Sequence, residues 1–192
     1  MIVRAPTLLP HANCCLQITG IIPLGTSMDY ESQRTRDLGC WEGPAGLTPA
    51  IEGWTSSTST PDFKPDEAYT NFLVDSGMGA QSGKGTRDFW LKTLQANYQG
   101  DEGRKRMRMS AINLRDRDGL HGRVADVTCP VLWMHGTSDQ VYSVKNAEEE
   151  IRLFTGSKDA KLRVVEGGQH FLSYSHPEEV DKAVVEFVGR YP

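Results

Sequence analysis

Long apolar runs are missing from this sequence. No stretch approaches the roughly 18 consecutive residues that a membrane-spanning helix requires, so no membrane partner is expected. Cysteine is scarce, with four in 192 residues, at Cys14, Cys15, Cys40 and Cys129. Cys14 and Cys15 are adjacent rather than spaced as C-x-x-C, and no histidine stands at zinc-ligand spacing from any of the four. That argues against a metal knuckle or a disulfide framework, and for reduced thiols in a cytoplasmic type of protein. Charge of one sign is not in excess either. Against 25 Asp and Glu stand 21 Lys and Arg, for a net charge of −4 and a pI near 5.7. Such a surface attracts neither nucleic acid nor an anionic membrane. The opening MIVRAPTLLPHANCCLQ has one arginine and no A-x-A-like cleavage site, so no signal peptide is expected. The ending GRYP is not a peroxisomal signal.

What is present fits one globular unit, with 38% hydrophobic residues and a length typical of a single domain. Three short apolar runs, each ending in glycine, read as buried parallel strands: 18–25 (ITGIIPLG), 130–136 (PVLWMHG) and 161–167 (KLRVVEG). Val144, Ala147, Ile151 and Phe154 recur at helical spacing, with Gly156 as a stop signal. Pro177 to Tyr191 repeats the pattern, with Val180, Val184, Phe187 and Val188 as its stripe and Pro177 in the first turn. The last seventy or so residues therefore alternate strand, helix, strand, helix, which implies a parallel sheet. Residues 41–66 have loop composition, rich in Gly, Pro, Ser and Thr. Residues 67–118 read as two or three amphipathic helices, a candidate cap over about 65–118 that excludes water from a pocket. The basic run Arg104–Arg108 is flanked by Asp101, Glu102, Asp116 and Asp118, the pattern of a solvated helix face. No internal repeat is found.

The chemistry concentrates in 130–176. Asp139 in GTSDQV follows one strand end, and His170 in GGQHFL follows another. Functional groups in open parallel sheets gather at the carboxyl ends of strands. A carboxylate placed there holds an imidazole in one tautomer and stabilises its charged form. Gly167 and Gly168 suit the sharp turn that would deliver the ring. Of the other histidines, His135 reads as a packed strand residue, His176 as part of the last helix cap, and His11 and His121 have no partner motif. No set of them is expected to bind a metal.

This segment resembles the end of an α/β-hydrolase domain, in which a P-V-L-x-x-H-G strand leads to the triad acid and a G-G-x-H turn carries the triad histidine. GIIPLGTSMDYESQRTRDLGCW and RDGLHGRVADVTCPVLWMHGTSD also look like filamentous-fungal α/β-hydrolases, often ones near secondary-metabolism genes. The resemblance implies a partial α/β-hydrolase fold: a parallel sheet of about three strands, flanking helices and a helical cap insertion. Residues 1–28 would be a remnant of the hydrolase core, 29–125 the cap, and 126–192 the C-terminal core with Asp139 and His170 as catalytic residues. No cofactor is implied, and the expected partner is a small-molecule acyl substrate.

The family's nucleophile motif, G-x-S-x-G, is missing. Ser27, Ser76, Ser82 and Ser138 each lack one or both flanking glycines. Residues 1–9 look like the helix that follows the elbow, which would put the serine upstream of Met1. The strand at 18–25 would then expose an edge open to self-association. A serine-type hydrolase of an ester, thioester or lactone is the leading reading. An epoxide hydrolase or dehalogenase type of chemistry, with an aspartate at the elbow, and a non-catalytic remnant are its alternatives. Ser27 follows a strand end and stands as a weak substitute nucleophile.

Overall fold

A computed structural model describes residues 18–191; the expected helix at 1–9, together with His11, Cys14 and Cys15, lies outside them. The sheet is built on two six-residue strands, β1 (Val131–Gly136) and β2 (Ala160–Val165). They pair in parallel, from Val131 opposite Ala160 to Gly136 opposite Val165. The expected third strand at 18–25 is reduced to an extended segment joined to β1 by parallel bridges at Ile21–Val131 and Leu24–Met134. Its hydrogen bonds run from Ile21 N to Pro130 O (3.0 Å) through to Gly25 N to Met134 O (3.0 Å). Pro23 lies between them: its carbonyl accepts from Met134 N, but without an N–H it cannot donate back to β1, and the ladder is interrupted there.

Strand β1 is covered on both faces, whereas β2, expected to be buried, is largely open, with Val164 exposed. On one face Val131 and Trp133 pack with Met28, Val124, Ala147 and Phe154. On the other, Met134 packs with Val165, Leu172, Val180 and Ala183. The alternation along β1 is the pleat acting on successive side chains. Between the strands lies helix α6 (Val144–Glu150), continued by a 3-10 turn at Ile151–Leu153. Ser143 caps it by accepting from Asn146 N at 3.1 Å. After β2 come a single turn, α7 (Leu172–Ser175), and α8 (Pro177–Arg190). Helix α8 carries Pro177 at its start, where a fixed φ suits the first turn, with Glu178 and Glu179 in that turn and Arg190 in the last, charges favourable to the helix dipole.

Residues between the bridged segment and β1 form five helices: α1 (Gln33–Asp37), α2 (Gly43–Gly53), α3 (Glu67–Met78), α4 (Lys84–Asn97) and α5 (Gly100–Arg115). Helix α2 corrects the expectation of a loop over 41–66. It contains Pro49, and proline inside a helix costs about 3 kcal/mol. Leu47, Ile51 and Trp54 offset this by burying against Met107 and Ala111 of α5, at roughly 1.5–3 kcal/mol for each large apolar side chain. The basic run is also not wholly solvated. Arg104 is buried, with Nε donating to Thr60 Oγ1 at 2.7 Å and Nη1 donating to the Trp54 carbonyl. Cys40 and Cys129 are free thiols, and burial pushes both up from their ordinary pKa. Among the described residues no helix is long and apolar enough to cross a membrane.

The two connections of the helical insertion meet on α6. Leu120 N donates to Met28 O at 2.6 Å. Beneath them lies Glu150, fully buried. Its Oε2 accepts from Met28 N at 2.7 Å, and its Oε1 from Ser27 Oγ at 2.9 Å and Asp29 N at 3.2 Å. His121 Nε2 lies 2.8 Å from the same Oε1. Losing this carboxylate strands several buried donors. Glu150→Ala is therefore expected to lower the unfolding free energy by about 3–5 kcal/mol in urea titration, with Glu150→Gln milder because its amide oxygen retains an acceptor. A Glu150→Ala midpoint matching the parent would contradict this account.

Candidate active site

Strand β1 ends at Gly136, and the chain reverses in a loop that carries Asp139. The Asp139 side chain is completely buried. Its Oδ1 accepts from Val141 N at 2.8 Å and Tyr142 N at 3.0 Å, an Asx-type turn that fixes the carboxylate to its own loop. Its Oδ2 lies 3.1 Å from His170 Nδ1. His135 flanks the pair. Its Nε2 donates to the Tyr142 carbonyl at 2.8 Å and stands 3.5 Å from Asp139 Oδ2. The sequence expectation of a packed, locally bonded His135 agrees with this position.

Strand β2 ends at Val165, and His170 follows on the adjoining turn. Gly167 has φ of +72°, in the left-handed region that glycine enters without strain. Three hydrogen bonds tie this turn to the acid loop: Thr137 N to Val165 O (3.0 Å), Ser138 N to Gly168 O (2.9 Å) and Gly167 N to Thr137 Oγ1 (2.8 Å). Gly25, at the end of the bridged segment, has φ of +48°. A Cβ placed there would stand 2.2 Å from the His170 carbonyl oxygen and 3.4 Å from Asp139 Oδ2. From the helical insertion, Gly77 O at the end of α3 accepts from Phe171 N at 2.7 Å.

The chemical consequence is direct. A carboxylate at Nδ1 selects the tautomer that carries its proton there and leaves Nε2 as the basic nitrogen. Among the described residues no hydrogen bond engages His170 Nε2, and the side chain is 21% exposed. Exposed Phe171 lies beside the imidazole, ring centroids 5.5 Å apart. The residues that sequence reasoning missed are Gly25, Gly77, Tyr142 and Glu31. Gly25 ends an apolar run and Tyr142 N lies in the local turn of Asp139, but the contacts of the Gly25 backbone, the Tyr142 ring and Gly77 with the His170 turn arise only through the tertiary fold.

Ser27 is not placed for attack. It is 1% exposed, its hydroxyl donates to Glu150, and its oxygen accepts from Asp29 N and Asn146 Nδ2, both at 3.1 Å. His121, which has no partner motif in the sequence, sits between Glu150 and Asp29 Oδ2 (3.9 Å from Nδ1). Donor atoms of Asp29, His121 and Glu150 lie within 4.8 Å of one another. Asp29 and Glu150 accept hydrogen bonds from the protein, and the Arg34 guanidinium stands 3.7–3.8 Å from both carboxylates. His176 occupies the cap position of α8, but its ring lies 3.0 Å from Ser175 Oγ and makes no side-chain cap bond.

Gly25→Ala combines a clash with the His170 carbonyl and a positive φ that alanine resists. It is expected to cost about 2 kcal/mol or more of stability, read as a lowered urea midpoint. A midpoint equal to that of the parent would show that the turn yields freely.

No family model and no curated protein matches the chain. Solved structures do. A thermophilic esterase from Thermogutta terrifontis, with malate bound, superposes at a TM-score of 0.63 with 14% identity, covering 90% of this chain and 56% of that one. An esterase from Exiguobacterium antarcticum gives 0.65 and 19%, covering 89% and 57%. MenH from S. aureus gives 0.62 and 15%, covering 93% and 62%. The chain spans less than two thirds of the length of each. Esterases, hydrolases and a bromoperoxidase recur among the matches, and residues 18–191 build part of an α/β-hydrolase fold.

Proposed function

We propose that this chain supplies the base and the orienting acid of an acyl hydrolase acting on an ester, thioester or lactone. His170 is the general base and Asp139 the carboxylate that orients it. One observation carries the reading: a fully buried Asp139 Oδ2 lies 3.1 Å from His170 Nδ1, past the carboxyl ends of two paired parallel strands. The likeness to esterases supports it at the level of fold. The exposed apolar ring of Phe171 beside the imidazole suits a small acyl substrate. Resemblance of 20–41 and 117–139 to filamentous-fungal α/β-hydrolases favours a substrate from secondary metabolism.

The nucleophile, in this reading, comes from polypeptide outside residues 18–191; the substitute that the sequence offers, Ser27, is locked into the Glu150 network. In this reading the outer edge of the 18–25 segment receives the remaining strands, or a second copy of the chain in their place. The test is turnover of chromogenic esters by the 192-residue chain and by an extended chain carrying an elbow serine. The extended chain is expected to turn over, and His170→Ala to remove most of that rate. The short chain is expected to show none, lacking even the roughly 10³–10⁴-fold catalysis over water that a site with only one missing triad member retains. Robust turnover by the short chain, abolished by His170→Ala, would mean that its nucleophile lies within it.

A further inference from the structure

A buried charged cluster adjoins the acid and the histidine. Glu31, in the connection entering the helical insertion, has a side chain only 1% exposed. Three donors converge on its Oε1: Arg117 Nη2 at 2.6 Å, the Tyr142 hydroxyl at 2.8 Å and the Trp41 indole N–H at 3.3 Å. Glu31 Oε2 and Arg117 Nε are buried with no hydrogen-bond partner among the described residues. Incomplete satisfaction makes this a poor device for stability, since apolar replacement of a buried ion pair is often neutral or favourable. What the cluster does fix is the direction of the Tyr142 ring.

Tyr142 touches both members of the pair. Its N–H donates to Asp139 Oδ1 at 3.0 Å, and its carbonyl accepts from His135. Its ring centroid lies 5.7 Å from that of His170, with the planes tilted by 55°. The Arg117 guanidinium carbon stands 5.8 Å from the Tyr142 ring centroid. Burial pushes the phenol up from its ordinary range by more than Arg117 draws it back, so the hydroxyl remains a proton donor to Glu31.

We propose that Glu31, Arg117 and Tyr142 are positioning residues for the Asp139–His170 pair. Glu31 and Arg117, one from each connection of the helical insertion, hold the Tyr142 ring. Tyr142 in turn holds the Asp139 carboxylate and one side of the imidazole. The histidine is thereby oriented only when both connections are seated. This rests on the reading of Asp139 and His170 as a working acid and base.

The test is the side-chain NMR of His170 in the 192-residue chain, its Nδ1–H signal assigned by loss in His170→Ala. Tyr142→Phe keeps every charge and the ring but removes the hydroxyl, which donates to Glu31 and accepts from Arg117. It is expected to accelerate exchange of the Nδ1 proton with water by about tenfold or more, because exchange reports local opening, while the circular dichroism stays that of the parent. Glu31→Gln is expected to do the same; if it does not fold, Tyr142→Phe decides. An unchanged exchange rate in folded Tyr142→Phe overturns the proposal, even if Glu31→Gln accelerates it, since Glu31 would then act through its charge alone. Asp139→Asn is the separating control: if it leaves the Nδ1–H signal unaltered, the underlying pair is misread and the positioning claim falls with it.

Discussion

Parallel pairing of β1 with β2 is the constraint on which the site depends. Six residue pairs in register bring two chain reversals to the same end of the sheet. Three short hydrogen bonds then join those reversals, so the Asp139 loop and the His170 turn behave as one body. The bridged segment closes the third side through Gly25, whose missing side chain lets the backbone approach the His170 carbonyl. Asp139 is removed from water, which would be costly for a bare carboxylate. Two backbone N–H groups and the imidazole provide the compensation. The groove lined by Val131, Leu132, Lys161, Phe187 and Tyr191 begins at the opposite, amino end of β1 and shares no residue with the pair.

The helical insertion has its own core between α2 and α5, and two buried carboxylates govern how it meets the sheet. Glu150 gathers Ser27, Met28, Asp29 and His121 onto α6. Glu31 gathers Trp41, Arg117 and Tyr142 beside the acid loop. Phe171 adds a backbone bond from the histidine turn to Gly77 at the end of α3. A buried acid of this kind is directional where an apolar contact is not, because its lone pairs accept only from donors correctly placed.

The sequence signals that held were local. An apolar run ending in glycine marks β1, the turn Gly167-Gly168 marks the approach to His170, and a proline-started apolar stripe marks α8. Asp139 and His170 were legible because each follows such a signal directly. Helix α2 was hidden by its glycines and prolines, and only the burial of Leu47 and Ile51 against α5 explains it. The third strand was overextended because Pro23 interrupts the donors of an otherwise apolar run. Glu31, Glu150 and His121 could not be read as partners of anything. Glu31 and Tyr142 are 111 residues apart, and Ser27 and Glu150 are 123 apart, separations at which no periodicity carries information.

Asp139 and His170 interact directly and are held together by the fold. A double-mutant cycle in urea unfolding measures this, using Asp139→Asn, His170→Gln and the two combined at neutral pH. A coupling of about 1.5–3 kcal/mol is expected, the range of a hydrogen bond to a charged group. Single-mutant effects that add to within about 0.5 kcal/mol would contradict it, leaving the two residues as neighbours that do not bond.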